Sequence, residues 1–299
     1  MIQTRPFEFM TRYTPQREWI EGRGVLLWLA FFFIELGAGM LFVAALFNSL
    51  WGMFIGWLIC IVLGGGFHLL YLGQPLRFYR AFLRPQTSWI SRGMIFIALF
   101  IVLGAIHLAL AYWASSPLAL LVILEIVAFL VTIYGGFAMS YVNGIPLWNT
   151  ALLPVLYVVA GFWGGAELAL GVMLAGGIFS QTGPELEGLI RMLLGAFILV
   201  VAAYLTSVRY SSKGGELSVR EIVTGRWWPL FWGVVALLGV CFPLGVVVSG
   251  YLSGLEAIPI ALLWLSIFFE LLGDVTFRYL ILRNGFYHPL TPISTVPSA

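Results

Sequence analysis

Charge is the scarcest commodity in this chain. Only 9% of its 299 residues are Asp, Glu, Lys or Arg, while 61% are hydrophobic and the mean hydropathy is +1.01. A soluble domain of this size carries about 25% charged residues. With so little charge the surface cannot be mostly wet, and lipid must be the solvent for most of it. Cysteine is nearly absent: Cys60 and Cys241 each sit inside an apolar run, far apart and without CxxC spacing. That excludes a disulfide framework and an iron–sulfur site, and leaves two small buried hydrophobes. Histidine is also rare, with only His68, His107 and His288. A b-type haem held between helices wants paired histidines; His68 and His107 fall toward opposite faces and His288 lies in the tail, so no intrinsic haem and no metal site are expected. Walker, dinucleotide-binding GxGxxG and HExxH patterns are missing as well. Any chemistry must therefore use a diffusible lipid-soluble substrate with a separate electron carrier, or else be transport.

What is present is length of apolar sequence. A spanning helix needs about 20 predominantly apolar residues, and eight stretches qualify: 24–47, 51–72, 93–114, 117–142, 147–175, 189–208, 227–250 and 257–282. The run after the polar residues 1–23 is too long for a signal-peptide core and reads as the first span. The expected fold is all-α and integral to the membrane, with both termini on one face. Short connections make consecutive helices antiparallel neighbours, and only 73–92, 176–188 and 209–226 are longer. The echo of Glu35-Leu-Gly-Ala-Gly-Met-Leu in Glu167-Leu-Ala-Leu-Gly-Val-Met-Leu suggests two four-helix bundles, 24–142 and 147–283, followed by a tail from 284 to 299. Fourteen lysines and arginines, from Arg5 through Arg278 to Arg283, fall on the face of the termini; Arg191 alone falls opposite, with Glu185, Glu187 and Glu256. This bias places the termini in the cytoplasm and the protein in the cell (inner) membrane. A basic face can equally be a docking surface.

Ionisable groups inside a bilayer cost several kcal/mol unless paired or hydrated, so each is a functional candidate. They are Glu35, His107, Glu125, Glu167, Glu270, Asp274 and Arg278 as proton-transfer candidates, and His68. Glu270, Asp274 and Arg278 recur every fourth residue and line one stripe of the eighth helix. Asp274 and Arg278 are spaced as an ion pair, whereas Glu270 has no cation at that spacing. A static lock between helices explains the same residues as well as a relay does. His107 and Glu125 flank the Ser115-Ser116 turn at matching depth, within reach of each other near the outer face, where a pair suits a proton entry or exit and a static contact equally.

His68, Tyr71, Gln74 and Arg77 cluster where the second helix meets the terminal face. Tyr134, beside Gly135 and Gly136, lies some nine residues from that face, which at 1.5 Å per residue is about 14 Å deep. A quinone needs an apolar slot with polar groups at its carbonyls, and these residues supply such groups. An interfacial aromatic belt contains the same residue types.

Longer blocks narrow the choice. Tyr71-Leu-Gly-Gln-Pro-Leu-Arg-Phe-Tyr-Arg, running on to Arg84-Pro-Gln-Thr-Ser-Trp-Ile-Ser-Arg-Gly, resembles the LGxPxRF…RP…SWxSxG signature of the NrfD/polysulfide reductase membrane-subunit family. Tyr134-Gly-Gly-Phe-Ala-Met-Ser with Pro146-Leu-Trp-Asn-Thr-Ala-Leu-Leu-Pro, and Glu270-Leu-Leu-Gly-Asp-Val-Thr-Phe-Arg-Tyr-Leu-Ile-Leu-Arg-Asn-Gly, are similar to further blocks of that family. The resemblance implies an eight-helix subunit exchanging electrons between a membrane quinone (menaquinone or ubiquinone) and a four-cluster iron–sulfur protein that serves a molybdenum or tungsten catalytic subunit. It implies Tyr134 as the quinone tyrosine and Arg77, Arg80, Arg84 and Arg92 as the docking face. The family's polysulfide reductase uses polar first-helix residues at its quinone; here Leu26 to Phe33 is entirely apolar, which points to His68 or Glu35 instead. An ion or solute transporter, or a passive anchor without quinone chemistry, are the competing readings.

Overall fold

The computed structural model describes residues 10–176, 179–254 and 257–290; Arg5 and Glu256, assigned above to opposite faces, lie outside them. Among the described residues, eight helices are long and apolar enough to cross a membrane. They are α1 (Gly24–Leu46), α2 (Leu50–Tyr71), α3 (Trp89–Trp113), α4 (Leu118–Ser140), α5 (Leu152–Ala175), α6 (Phe179–Ser211), α7 (Leu230–Ser253) and α8 (Ile260–Arg283). The physical reason is general: lipid offers the backbone no hydrogen bonds, so each crossing segment must satisfy its own. The integral all-α fold expected from the hydropathy is the fold found.

Burial sorts the helices into a centre and a shell. In α1, 78% of the apolar window is buried inside the protein and in α5 61%, against 22–39% for the other six. Glycine permits this. The Cα of Gly39 faces the carbonyl of Gly161, and Gly165 abuts the backbone of Gly39 and Met40, so a side chain at any of the three would collide with the opposing helix. Such close backbone approach is how helices gain contact where lipid removes the hydrophobic drive between them. On one side α1 packs against α2 and α4; on the other, α5 packs against α6 and α8, with α8 against α7. Both α2 and α7 contain π-helical stretches, Ile59–Gly65 and Leu230–Cys241, whose wider turns rotate all that follows.

The segments flanking the first and last crossings meet on one face. Thr14–Pro15 (β1) and Phe286–Tyr287 (β2) form a two-stranded antiparallel pair, the Gln16 amide donates to the Gly285 carbonyl at 2.8 Å, and Arg283 pairs with Glu21 at 2.8 Å. Several boundaries differ from the sequence expectation. Helix α4 ends at Ser140 and α5 begins only at Leu152. The residues between turn inward and bury Trp148, whose indole Nε1 donates to the Ile281 carbonyl at 2.9 Å; apolar sequence here serves packing rather than a helix. Helix α6 begins ten residues before the expected 189, so much of the 176–188 connection is helical. Its polar start runs on in helical form because Glu187 and Arg191, spaced i,i+4, stand 3.7 Å apart. The 209–226 connection contains a further helix, Lys213–Val223, capped by the Ser212 hydroxyl.

Candidate functional site

Tyr134 is buried, 2% exposed, with its ring seated on Gly93 of α3, where a side chain would strike the phenol carbons. The SWxSxG block thus has a spatial purpose: its glycine makes the floor under the α4 tyrosine. Because α4 ends at Ser140, Tyr134 is six residues from the helix end, about 9 Å by helix rise and shallower than the 14 Å expected. Phe31 of α1 stands beside it, ring centroids 5.5 Å apart, and meets His68 of α2 edge-on at 5.7 Å. Trp19 stacks on Phe31 at 6.0 Å. The apolar first-helix region therefore does enter this site, with an aromatic ring instead of polar groups. One polar atom here is buried without a hydrogen-bond partner, Nδ1 of the half-buried His68. Tyr71 packs on the same cluster, whereas Gln74 and Arg77 are exposed beyond it.

One helical level away lies a charged centre. Arg278 of α8 donates through Nη1 and Nη2 to both carboxylate oxygens of Glu35 at 2.5 and 2.6 Å, and through Nε to Asp274 at 3.0 Å. Its guanidinium also lies 4.6 Å from the Tyr157 ring centroid and 5.6 Å from that of Phe32. Gly161 leaves the space that Glu35 occupies. The sequence counted Arg278 among the charges of the terminal face; the structure buries it in the bundle, since two carboxylates and an aromatic face replace its water. The i,i+4 pair with Asp274 is as expected. Glu35 as second partner, 243 residues distant in sequence, was not foreseen, nor was Tyr157, whose only sequence signal is a phenol inside an apolar span.

Glu270 is also as expected in lacking a cation: both its oxygens are buried without a conventional hydrogen-bond partner. What it faces is Glu167 of α5, a second buried carboxyl. Two carboxyl groups can bridge only if one of them carries the hydrogen, because an ionised carboxylate has none to donate. The two glutamates of the sequence echo thus both turn to α8, Glu35 to residue 278 and Glu167 to residue 270. By contrast, His107 and Glu125 do not pair. His107 Nδ1 engages the Ser116 hydroxyl at 2.7 Å, a nearer partner supplied by the turn itself, and Glu125 sits half-exposed with no ion pair or side-chain hydrogen bond among the described residues.

On the terminal face, Pro75–Phe82 forms a 3₁₀ turn that leaves Arg77 and Arg80 exposed beside Leu76 (95% exposed) and Tyr79, with Arg84 exposed just beyond. Arg92 differs from its expected companions: it donates to the Pro85 and Gln86 carbonyls at 2.7 and 2.9 Å and lies 4.6 Å over Trp89. It braces the loop from within because α3 begins at Trp89, four residues earlier than expected, which carries Arg92 into the first helical turn.

The same blocks that shape this site are those of a known family. The model of the polysulphide reductase family NrfD matches residues 23–289. The chain belongs to the NrfD family. It is similar to Protein NrfD of Escherichia coli (strain K12), at 26% identity over 193 residues covering 61% of this chain and 58% of that protein. The alignment thus spans somewhat over half of the curated relative. As an NrfD-family chain it is a multi-pass membrane protein, and the tyrosine seated on Gly93 and the charged stripe of α8 both lie within the matched region.

Proposed function

We propose that this chain is the quinone-handling membrane subunit of a respiratory oxidoreductase. The observation that carries the reading is a buried phenol, Tyr134, and an imidazole with an unpartnered nitrogen, His68, both packed against the same aromatic ring, Phe31, near the terminal face. A quinone, menaquinone or ubiquinone, supplies a two-electron, two-proton couple when bound. Tyr134 offers one carbonyl a hydrogen-bond donor, His68 offers the other a group that gives or accepts a proton, and Phe31 and Trp19 hold the ring plane and keep water out. The two electrons pass to or from a four-cluster iron–sulfur subunit serving a molybdenum or tungsten catalytic subunit. That partner docks on the exposed arginines 77, 80 and 84 with Leu76 and Tyr79 between them. With positive charge gathered there, the face is cytoplasmic by the positive-inside rule. Protons released or taken up travel through the interior carboxyls, Glu35 and Asp274 around Arg278, then Glu270 and Glu167.

Tyr134→Phe keeps the ring on Gly93 and removes only the hydroxyl. Quinone-linked turnover of the purified complex should fall by about 10²-fold, the scale of one lost acid–base group, while artificial-dye activity of the soluble subunits survives. Equal loss of both activities, or of neither, refutes the assignment. The buried Glu167–Glu270 pair favours a second reading, an ion transporter without redox role; solute flux into liposomes holding this chain alone would support it, and co-purification of iron–sulfur and molybdopterin subunits would oppose it.

A further inference from the structure

A different part of the terminal face is built for a small anion with an apolar attachment. The last turn of α6 and the helix Lys213–Val223 enclose a cleft of about 470 Å³, continuous with a neighbouring one of about 370 Å³. The fold-back needs Gly215, where a side chain would strike the Val208 carbonyl, and is capped by the Ser212 hydroxyl, which accepts from the Gly215 amide at 3.1 Å. Its lining combines apolar Leu205, Val219 and Val223 with Arg209, Arg220, Thr206 and the Glu216 carboxyl. Lys213 is committed to Glu216, at 2.8 Å, and this bond with the ammonium's charge holds the Glu216 carboxyl below the usual carboxylate range. The acid is therefore ionised and neutralised. Arg209 and Arg220 have no ion pair or side-chain hydrogen bond among the described residues; Arg209 only lies 5.9 Å from the Tyr210 ring. Both act on the charge of Glu216, which shares the cleft, without pairing with it, so two guanidiniums face one cleft at the end of a membrane-crossing helix, whose outer side presents Leu199, 72% exposed.

We propose that this cleft binds an anionic phospholipid, its headgroup phosphate held between Arg209 and Arg220 and its acyl chains lying along the outer side of α6. Guanidinium suits phosphate geometrically and electrostatically, and basic pockets at helix ends on the cytoplasmic side recognise such headgroups. The apolar part of the lining argues for a lipid over a free anion, which needs no such surface. Nothing in this assignment depends on the quinone reading.

The test is native mass spectrometry of the full-length chain in its purified complex, delipidated in neutral detergent and titrated with phosphatidylglycerol or phosphatidylcholine. The wild type should prefer phosphatidylglycerol. The double variant Arg209→Gln/Arg220→Gln should lose that affinity by roughly thirtyfold, the loss expected of two interfacial cations. Arg209→Lys/Arg220→Lys, which keeps the charge, should retain most of it, and Arg77→Gln/Arg80→Gln should retain all of it. No preference in the wild type, undiminished binding in the Gln variant, loss in the Arg77/Arg80 variant instead, or displacement by millimolar inorganic phosphate would each overturn the proposal.

Discussion

Arg278 sets the electrostatics of the interior. It is buried, and its charge is met by Glu35 and Asp274 with three hydrogen bonds. Such a cluster contributes little net stability while whole but is costly to break, because the partners left behind remain buried. Arg278→Met should therefore destabilise the protein by about 3–5 kcal/mol, read as an earlier thermal transition in detergent; Glu35→Gln, which leaves the guanidinium with Asp274, should cost less. An unchanged transition in Arg278→Met would mean that the carboxylates find other partners. The Glu167–Glu270 pair has its own signature. A bridging hydrogen between two carboxyls should give a protonated-carboxyl infrared band at neutral pH, lost in Glu270→Gln; absence of the band from the wild type would show the pair to be separated by a cation or water. The Asp274–Arg278 pairing and the lack of a cation beside Glu270 were legible in the sequence, since both follow from helix periodicity. The partners of Glu35, Glu167 and His107 were not: each is chosen by how helices cross or how a turn closes.

At the level of elements, glycines decide where helices come together. Gly93 is instructive because its role belongs to another helix. Gly93→Ala should displace the Tyr134 ring while leaving α3 intact, so quinone-linked turnover of the complex should drop at least tenfold with only about 1–3 kcal/mol lost in stability, the usual cost of one added methyl in a packed site. Unaltered turnover would separate Tyr134 from the reaction. The polar ends of helices were the hardest to foresee. Hydropathy marks where lipid begins, not where hydrogen bonding stops, so α6 continues through Glu187 and Arg191. The stretch 147–151, conversely, is spent on burying Leu147 and Trp148 instead of on a helix.

Across the whole molecule, the joined terminal segments and the exposed arginines define one face, and the turn at Ser115 the other. A membrane-impermeant thiol reagent on intact cells should label Ser115→Cys and leave Arg84→Cys unlabelled, with the order reversed in inverted vesicles; the opposite pattern would invert the topology. Background should be low, since Cys60 is buried and Cys241 lies within spanning helix α7. The eight crossings, their alternation and the family were determined by sequence alone, because transfer of apolar side chains into lipid is large, additive and local to each segment. Which acid meets which base, which glycine floors the tyrosine, and which arginines stay without an ion pair were decided only by tertiary structure. Those contacts join residues up to 243 positions apart, and their energies depend on a packing geometry that no single segment encodes.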